Sequence, residues 1–388
     1  MRAPDLDRIL SAMLNTYDGI SDLNFTVGHP LQVEDLGELK PVYIDPPIEQ
    51  LTPYQVEHLA LTLMRGNRRL MHDYVTEGSC DCSYSLSEEA RFRVNIFRQR
   101  GHFSIVMRRL QACVPSLQSL ELPPIFEEIA REKNGLVLVT GATGSGKTTT
   151  LAALVNEINQ NLPVHVVTLE DPIEFIHAPA RATLNQRELG EDFDNYPNGL
   201  RAALRQAPKV ILVGEMRDRA TVEIALMAAE TGHLVLSTLH TVDAGQSINR
   251  ILGMFSLGEE KQVRLRLADS IRYIVSQRLA PKIGGGRQLL TEIMGYNLRT
   301  RETIALGESE SRNFYDIIEA SAHCGWCTFD QSILRQYEAG HITEETARLF
   351  ASKKGRIMRG IDLIQKSRGI ENGTDTGLRL DLPANAFR

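Results

Sequence analysis

Gly135-Leu136-Val137-Leu138-Val139-Thr140-Gly141-Ala142-Thr143-Gly144-Ser145-Gly146-Lys147-Thr148-Thr149 joins an apolar run to a glycine-rich octapeptide and then to a segment of helical composition. Strand, glycine loop and helix in that order are the sequence form of a phosphate-binding P-loop. Gly141, Gly144 and Gly146 let the backbone turn tightly, so that the N–H groups of Thr143, Ser145 and their neighbours aim at phosphate oxygens. The helix that follows turns its positive end toward the same anion. Lys147 is placed to reach the terminal phosphates and Thr148 to ligate magnesium, with Thr149 beside them as a further nucleotide-binding residue. The chain is therefore expected to bind a nucleoside triphosphate with a magnesium ion.

Outward from this loop, apolar strand candidates recur at Leu136–Thr140, His165–Glu170, Val210–Gly214 and Leu234–His240, separated by helical segments. Near-continuous apolar strands alternating with helices imply a mostly parallel sheet covered on both faces, here a RecA-like α/β core. Asp218–Thr231 is a helix in that series, with an acidic start and Gly232 placed to end it. Lys261–Leu279 and Phe329–Phe350 suggest a further helical layer. The N-terminal hundred residues have another pattern. Leu6–Asn15 and Pro53–Gly66 carry helical periodicity, and Leu23–Val27 and Leu39–Ile44 have strand composition. Arg91–Phe97 alternates, with Phe92, Val94 and Ile96 facing a core. That is a small mixed α/β domain, expected over residues 1–110. The proline-bearing stretch Gln111–Pro124 supplies a linker, set at residues 111–120, and the ATPase domain with its C-terminal helices follows over 121–366. Residues 367–388, rich in Gly, Asn, Asp and Pro, read as a disordered tail.

At 388 residues and 42% apolar composition the chain can bury two or three cores without disulfides or metals. No apolar stretch approaches the roughly 20 residues of a membrane span, and Met1–Leu10 lacks the pattern of a signal peptide, so a cytoplasmic protein without an integral membrane segment is expected. A net charge of −6 argues against nucleic acid as the main partner. The five cysteines form no disulfide framework; Cys324-Gly325-Trp326-Cys327 lacks the second pair of a zinc module, and Cys80-Asp81-Cys82 is read, like it, as packing.

Several residues are candidates for chemistry. Glu215 ends the strand Val210–Gly214, from which a carboxylate can orient the water that attacks the γ-phosphate; the competing reading is a surface ion pair with Arg217 or Arg219. Gly214 stands where many P-loop enzymes carry an aspartate. A carboxylate that orients metal-bound water must then come from elsewhere, and Glu170 and Asp171 end the preceding strand, although Asp171-Pro172 also has the form of a simple turn. A lone histidine is more often structural than catalytic, but His240, at a strand end, is placed to sense the γ-phosphate or bridge to a neighbour, whereas His233 begins the same strand. Six arginines lie between Arg91 and Arg109, readable as phosphate ligands from another domain, as a solvated basic face, or as a nucleic-acid contact.

These segments together resemble the PilT/PilU-type retraction ATPases of bacterial type IV pili, within the secretion ATPase superfamily. The resemblance runs through Ser21-Asp22-Leu23, Arg91-Phe92-Arg93-Val94-Asn95, the P-loop, Glu170-Asp171-Pro172-Ile173-Glu174-Phe175, Gly214-Glu215-Met216-Arg217-Asp218, Thr231-Gly232-His233 with Thr238-Leu239-His240-Thr241, and Gln277-Arg278-Leu279. It implies an N-terminal PAS-like domain joined to the RecA-like domain, a homo-hexameric ring, and ATP hydrolysis that drives pilus retraction and twitching motility. In that family the segments are the Asp box (Glu170, Asp171), Walker B (Glu215) and His box (His240), with Arg91, Arg93 and Arg108 as candidates to reach phosphate. The implied partners are an inner-membrane pilus platform protein and a second PilT-type ATPase, at the inner face of the cytoplasmic membrane. A secretion ATPase of the same superfamily and a PilU-like accessory ring subunit are the alternative roles. The chain departs from the family pattern at Asn24, within Leu31–Gly37, and across Asn297–Gly307.

Overall fold

The computed structural model describes residues 3–45, 47–86, 90–110 and 113–368. The N-terminal part runs α1 (Ala3–Leu14), β1 (Ile20–Thr26), β2 (Leu31–Asp35), β3 (Glu38–Val42), α2 (Pro53–Met64), α3 (Arg68–Glu77), β4 (Ser79–Ser85), β5 (Arg91–Gln99) and β6 (His102–Leu110). Its strands form one antiparallel sheet in the order β3-β2-β1-β6-β5-β4. The alternation in β5 does what its pattern dictates: Phe92, Val94 and Ile96 are fully buried, while the odd-numbered residues turn outward. One face of the sheet is covered by α1, α2 and α3 through a core that includes Leu10, Leu59 and Leu70.

After an irregular stretch come α4 (Ile125–Ala130), β7 (Gly135–Thr140), α5 (Lys147–Asn161), β8 (His165–Glu170), β9 (Thr183–Glu188), α6 (Tyr196–Ala203), β10 (Val210–Val213), α7 (Arg219–Glu230) and β11 (Leu234–Leu239). The chain continues through α8 (Ala244–Leu252), α9 (Glu260–Ser270), β12 (Ile271–Pro281), β13 (Arg287–Gly295), α10 (Leu298–Leu306), α11 (Phe314–Ala320), α12 (Phe329–Glu338), α13 (Glu344–Phe350) and α14 (Lys354–Ser367). The second sheet has the order β13-β12-β7-β11-β10-β8-β9 and is parallel except for its edge strand β13. Every residue of β7, β10 and β11 is buried, as required of central strands with helices on both faces. In parallel strands the carboxyl ends lie at one edge, so Thr140, Glu170, Val213 and Leu239 finish side by side. That edge is where the loops meet.

The expected helical layer needs one correction. Lys261–Leu279 is helical only to Ser270; Ile271–Pro281 pairs with β7 and β13 as a strand. Its Ile, Tyr and Val content suits a pleated surface, and the buried edge of β7 supplies the backbone partner that helical periodicity could not reveal. Phe329–Phe350 divides into α12 and α13 around Gly340, at φ 77°. The strands β2, β4 and β6 and the helix α3 were not anticipated. Residues 113–124 form no regular helix or strand, and the remaining two positions of the expected linker, 111 and 112, lie outside the described residues. Helix α14 carries order through Ser367; the rest of the expected tail, 369–388, also lies outside them.

Candidate nucleotide site

The carboxyl edge of the parallel sheet borders a cleft of about 670 Å³, within the size range of small-molecule sites. Thr143, Gly144, Gly146, Lys147, Thr148 and Thr149 form one wall, Glu170, Asp171 and Glu174 another, and Glu215, Arg217, Thr238 and His240 the floor. Arg93 reaches the same cleft from β5 of the N-terminal sheet.

The P-loop geometry follows from its glycines. Gly141 has φ 146°, and a Cβ there would lie 2.5 Å from the Gln277 carbonyl oxygen, so β12 packs against the loop with no room for a side chain. Gly146, at φ 87°, is the residue from which α5 starts. Gly141 and Ser145 support the loop from behind and do not line the cleft itself. Lys147 is buried and its Nζ donates to the carbonyl oxygens of Gly141 and Ala142 at 2.9 and 3.0 Å. Burial pulls its pKa down from the usual lysine value, against the opposing charge of Glu215. The ammonium is held on the loop by two neutral acceptors, a contact that a phosphate oxygen can replace.

Glu215 lies in the cleft and is also ion-paired. Its carboxylate accepts from Arg217 Nε at 2.8 Å, and its other oxygen lies 3.3 Å from His240 Nε2, so an ion pair exists, but inside the cleft. His233 is elsewhere: its Nδ1 is 3.0 Å from the Ala228 carbonyl, at the turn from α7 into β11. Gly214 has a steric reason. A Cβ would meet the Tyr196 hydroxyl at 2.9 Å and the Leu169 carbonyl oxygen at 3.2 Å, so an aspartate here would have to displace the Tyr196 tip and press on β8.

Glu170 takes over as the innermost carboxylate. Burial pushes its pKa up to about 7, although Thr168 Oγ1 and Gln186 Nε2 donate to its Oε1 at 2.6 and 3.1 Å. Asp171 and Glu174 are also raised by burial, and the Arg93 charge opposes the rise at both. Three carboxyl groups whose pKa values burial raises, with one guanidinium among them, make a site that favours additional positive charge. The Thr148 hydroxyl and the oxygens of Glu170 and Asp171 are the hard donors that a magnesium ion takes, and they border one cavity.

The three candidate arginines have three different positions. Arg93 lines the cleft. Arg91 does not; it forms an ion pair with Glu188 of β9, and its NH2 also donates to Ser83 Oγ at 3.0 Å. Arg108 lies outside the cleft of this chain, with Nε donating to Asp22 Oδ1 at 3.0 Å and most of its side chain exposed. Arg93 and Arg91 share a face of β5, yet only Arg93 lines the cleft, Arg91 being held by Glu188 and Ser83. Sequence reasoning missed Tyr196, Gln186, Glu188 and Arg287 around the site. Arg287 had a signal, the preceding Gly284-Gly285-Gly286, which forms the tight hairpin between β12 and β13 and brings the arginine to the cleft edge. Of the cysteines, Cys327 is buried and Cys324 exposed, both free, and among the described residues no group of three or more His, Cys, Asp or Glu side chains is placed to hold a metal ion.

Comparison with known proteins places this geometry. A model of the Type II/IV secretion system protein family matches residues 78–354. The type IV pilus retraction ATPase PilT of Pseudomonas aeruginosa is 38% identical over 330 residues, which cover 85% of this chain and 94% of that protein. The type IV pilus ATPase PilU of the same organism is 35% identical over 364 residues, covering 94% and 93%. The crystal structure of a pilus retraction motor PilT with bound ADP superposes with a TM-score of 0.80 at 39% identity, over 92% of this chain and 99% of that one.

Proposed function

Since the chain belongs to the Type II/IV secretion system protein family, we propose that it is an ATPase motor that powers retraction of a type IV pilus. The observation that carries the reading is Arg93: a residue of the N-terminal sheet lines the cleft that the P-loop, Glu170 and Glu215 form in the second domain. A nucleotide that fills the cleft then touches both domains, and its hydrolysis and release alter what holds them together.

The residues divide the work. Backbone N–H groups of the loop from Thr143 to Thr148 receive the phosphates, and Lys147 exchanges its two carbonyl acceptors for phosphate oxygens. Glu215, fixed by Arg217 and His240, orients the attacking water in line with the γ-phosphate. His240 lies beside that carboxylate and registers whether the γ-phosphate is present. Arg93 stabilises charge that develops on the transferred group. Thr148, Glu170 and Asp171 would hold a magnesium ion, which neutralises phosphate charge when bound. The proposal includes a homo-hexameric ring on the inner face of the cytoplasmic membrane, acting on an inner-membrane platform protein. Among the described residues no helix is long and apolar enough to cross a membrane.

The test uses Glu215→Gln. It retains nucleotide binding at the P-loop and loses phosphate release by about 10²-fold or more, the range of a positioned general base; turnover at the native rate refutes the assignment. In cells, deletion of the gene should leave pili extended, and reintroduction of the native chain should restore retraction. A second reading, an accessory ring subunit beside another retraction ATPase, is favoured by the longer match to PilU. Rescue by Glu215→Gln as good as by the native chain would select it.

A further inference from the structure

Arg91, the arginine that misses the phosphate cleft, is engaged in a different device. Its guanidinium pairs with Glu188, and the two are largely buried, with side chains 18% and 8% exposed. Glu188 belongs to the second domain and Arg91 to the first, so this is an ion pair across the domain boundary, joined there by Asn67 Nδ2 donating to Glu191 Oε1 at 3.3 Å. Arg69 from α3 packs on the backbone of Gly190, where a Cβ would lie 2.1 Å from its NH2. The contact is concentrated on the short segment Glu188–Glu191.

The same carboxylate faces the catalytic cleft by its other contact. Glu188 Oε2, the oxygen that receives Arg91, also accepts the Ile173 backbone N–H at 3.1 Å. Ile173 follows Asp171 and Pro172 and precedes Glu174, and Asp171 and Glu174 line the cleft on either side of it. In the parallel pairing of β8 with β9, Glu188 stands directly opposite Glu170. One oxygen therefore ties the N-terminal domain to the loop that carries two of the cleft carboxylates. Two residues farther along β5 on the same strand face, Arg93 enters the cleft. If the Arg91 contact moves, the loop and the Arg93 guanidinium move with it.

We propose that Glu188 is a positioning residue for ATP hydrolysis, latched by Arg91, which sets the Asp171–Glu174 loop and Arg93 in register with the bound phosphates only when the two domains are docked. Glu188 touches no substrate. Its action is on geometry, and a misplacement of reacting groups by about 1 Å can cost on the order of 100-fold in rate. This rests on the reading of the cleft as an ATPase site.

The variants separate the two contacts. Glu188→Gln loses the charge that holds Arg91 but keeps an amide oxygen for the Ile173 N–H; Arg91→Ala removes the latch alone and leaves Glu188 buried without its counter-charge; Glu188→Ala removes both contacts. The double variant Arg91→Ala/Glu188→Gln leaves no unpaired buried charge, which guards against a loss of folding mistaken for a loss of function. Steady-state ATP hydrolysis and the affinity for a fluorescent ADP analogue are measured on the full-length chain, with thermal unfolding as the control. The expected result is a fall in kcat of roughly 10- to 100-fold for Glu188→Ala, a smaller fall for Glu188→Gln, and ADP affinity within about twofold of native, because the P-loop is untouched. The double variant should be no slower than Arg91→Ala, since both changes break one contact. Native kcat in Glu188→Ala, or single effects that multiply in the double variant, overturns the proposal. Failure of the native chain itself to hydrolyse ATP would instead refute the ATPase reading.

Discussion

Adding one methyl group at Gly214 tests whether the cleft floor is built as described. In Gly214→Ala an ideal Cβ falls 2.9 Å from the Tyr196 hydroxyl oxygen, 3.2 Å from the Leu169 carbonyl oxygen and 3.6 Å from Glu170 Cα. Comfortable carbon contacts begin near 3.5 Å, so two of the three distances are too short. The backbone cannot slide away, because Gly214 N donates to Leu169 O at 2.8 Å and its carbonyl accepts from Thr238 Oγ1 at 2.7 Å. Tyr196 must yield at its tip, or β8 and β10 must separate. Overpacking of this kind costs about 1–3 kcal/mol. At roughly 2–4 °C per kcal/mol for a domain of this size, the melting temperature should fall by roughly 2–12 °C. Glu215 is the next residue and Glu170 borders the added methyl, so turnover should fall as well. The assay is thermal unfolding of the native chain, Gly214→Ala, Tyr196→Phe and their combination, with ATP hydrolysis measured on each. Removing the hydroxyl eliminates the shortest contact, so the double variant should melt above Gly214→Ala. Were Gly214→Ala to melt with the native chain, or Tyr196→Phe to give no recovery, the steric account of the missing aspartate would be refuted.

Arg93→Ala should reduce kcat by roughly 10³-fold, the lower end of the range for arginines that stabilise phosphoryl transfer, with little change in unfolding temperature; unchanged rate and affinity would remove it from the site. Arg108→Ala breaks an exposed pair with Asp22 and should change stability by less than about 1 kcal/mol, so a large loss of turnover in the assembled protein would mean that Arg108 serves the cleft of a neighbouring chain. The Glu170 pKa, raised to about 7 in the folded protein, predicts a pH dependence. The folded state holds that proton more tightly than the unfolded chain, so the group's contribution to stability is fully present below about pH 4.5, declines as pH rises, and is lost once pH passes about 7. Glu292 is raised to the same value by burial and acts in the same direction, so Glu170→Gln should flatten only part of the decline between pH 4.5 and 8 in a thermal-shift series, and no flattening at all would refute the burial of an unpaired carboxyl.

Much of this protein was legible where the physics is local. The P-loop needs residues that tolerate positive φ and close backbone approach, and only glycines at 141, 144 and 146 meet that need. The central strands announced themselves because a strand buried on both faces must be apolar throughout. The alternation of Arg91–Phe97 located β5 and its buried face for the same reason. Strand β12 was misread as helix because nothing local in Lys261–Leu279 marks where helix gives way to strand; parallel pairing with β7 decided it.

The sequence by itself determined that a phosphate site exists, which strand ends surround it, and that Glu170, Asp171, Glu215 and His240 would gather there, since the carboxyl ends of parallel strands converge whatever the rest of the chain does. Only the tertiary structure decided which arginine reaches the site. Arg91, Arg93 and Arg108 carry the same charge in neighbouring positions on the sheet, and composition cannot separate them. The docking of one domain on the other brings Arg93 to the cleft and Arg91 to Glu188, while Arg108 stays with Asp22, its partner on the adjacent strand of its own sheet. The Arg91–Glu188 contact joins residues about a hundred positions apart, which no local pattern encodes.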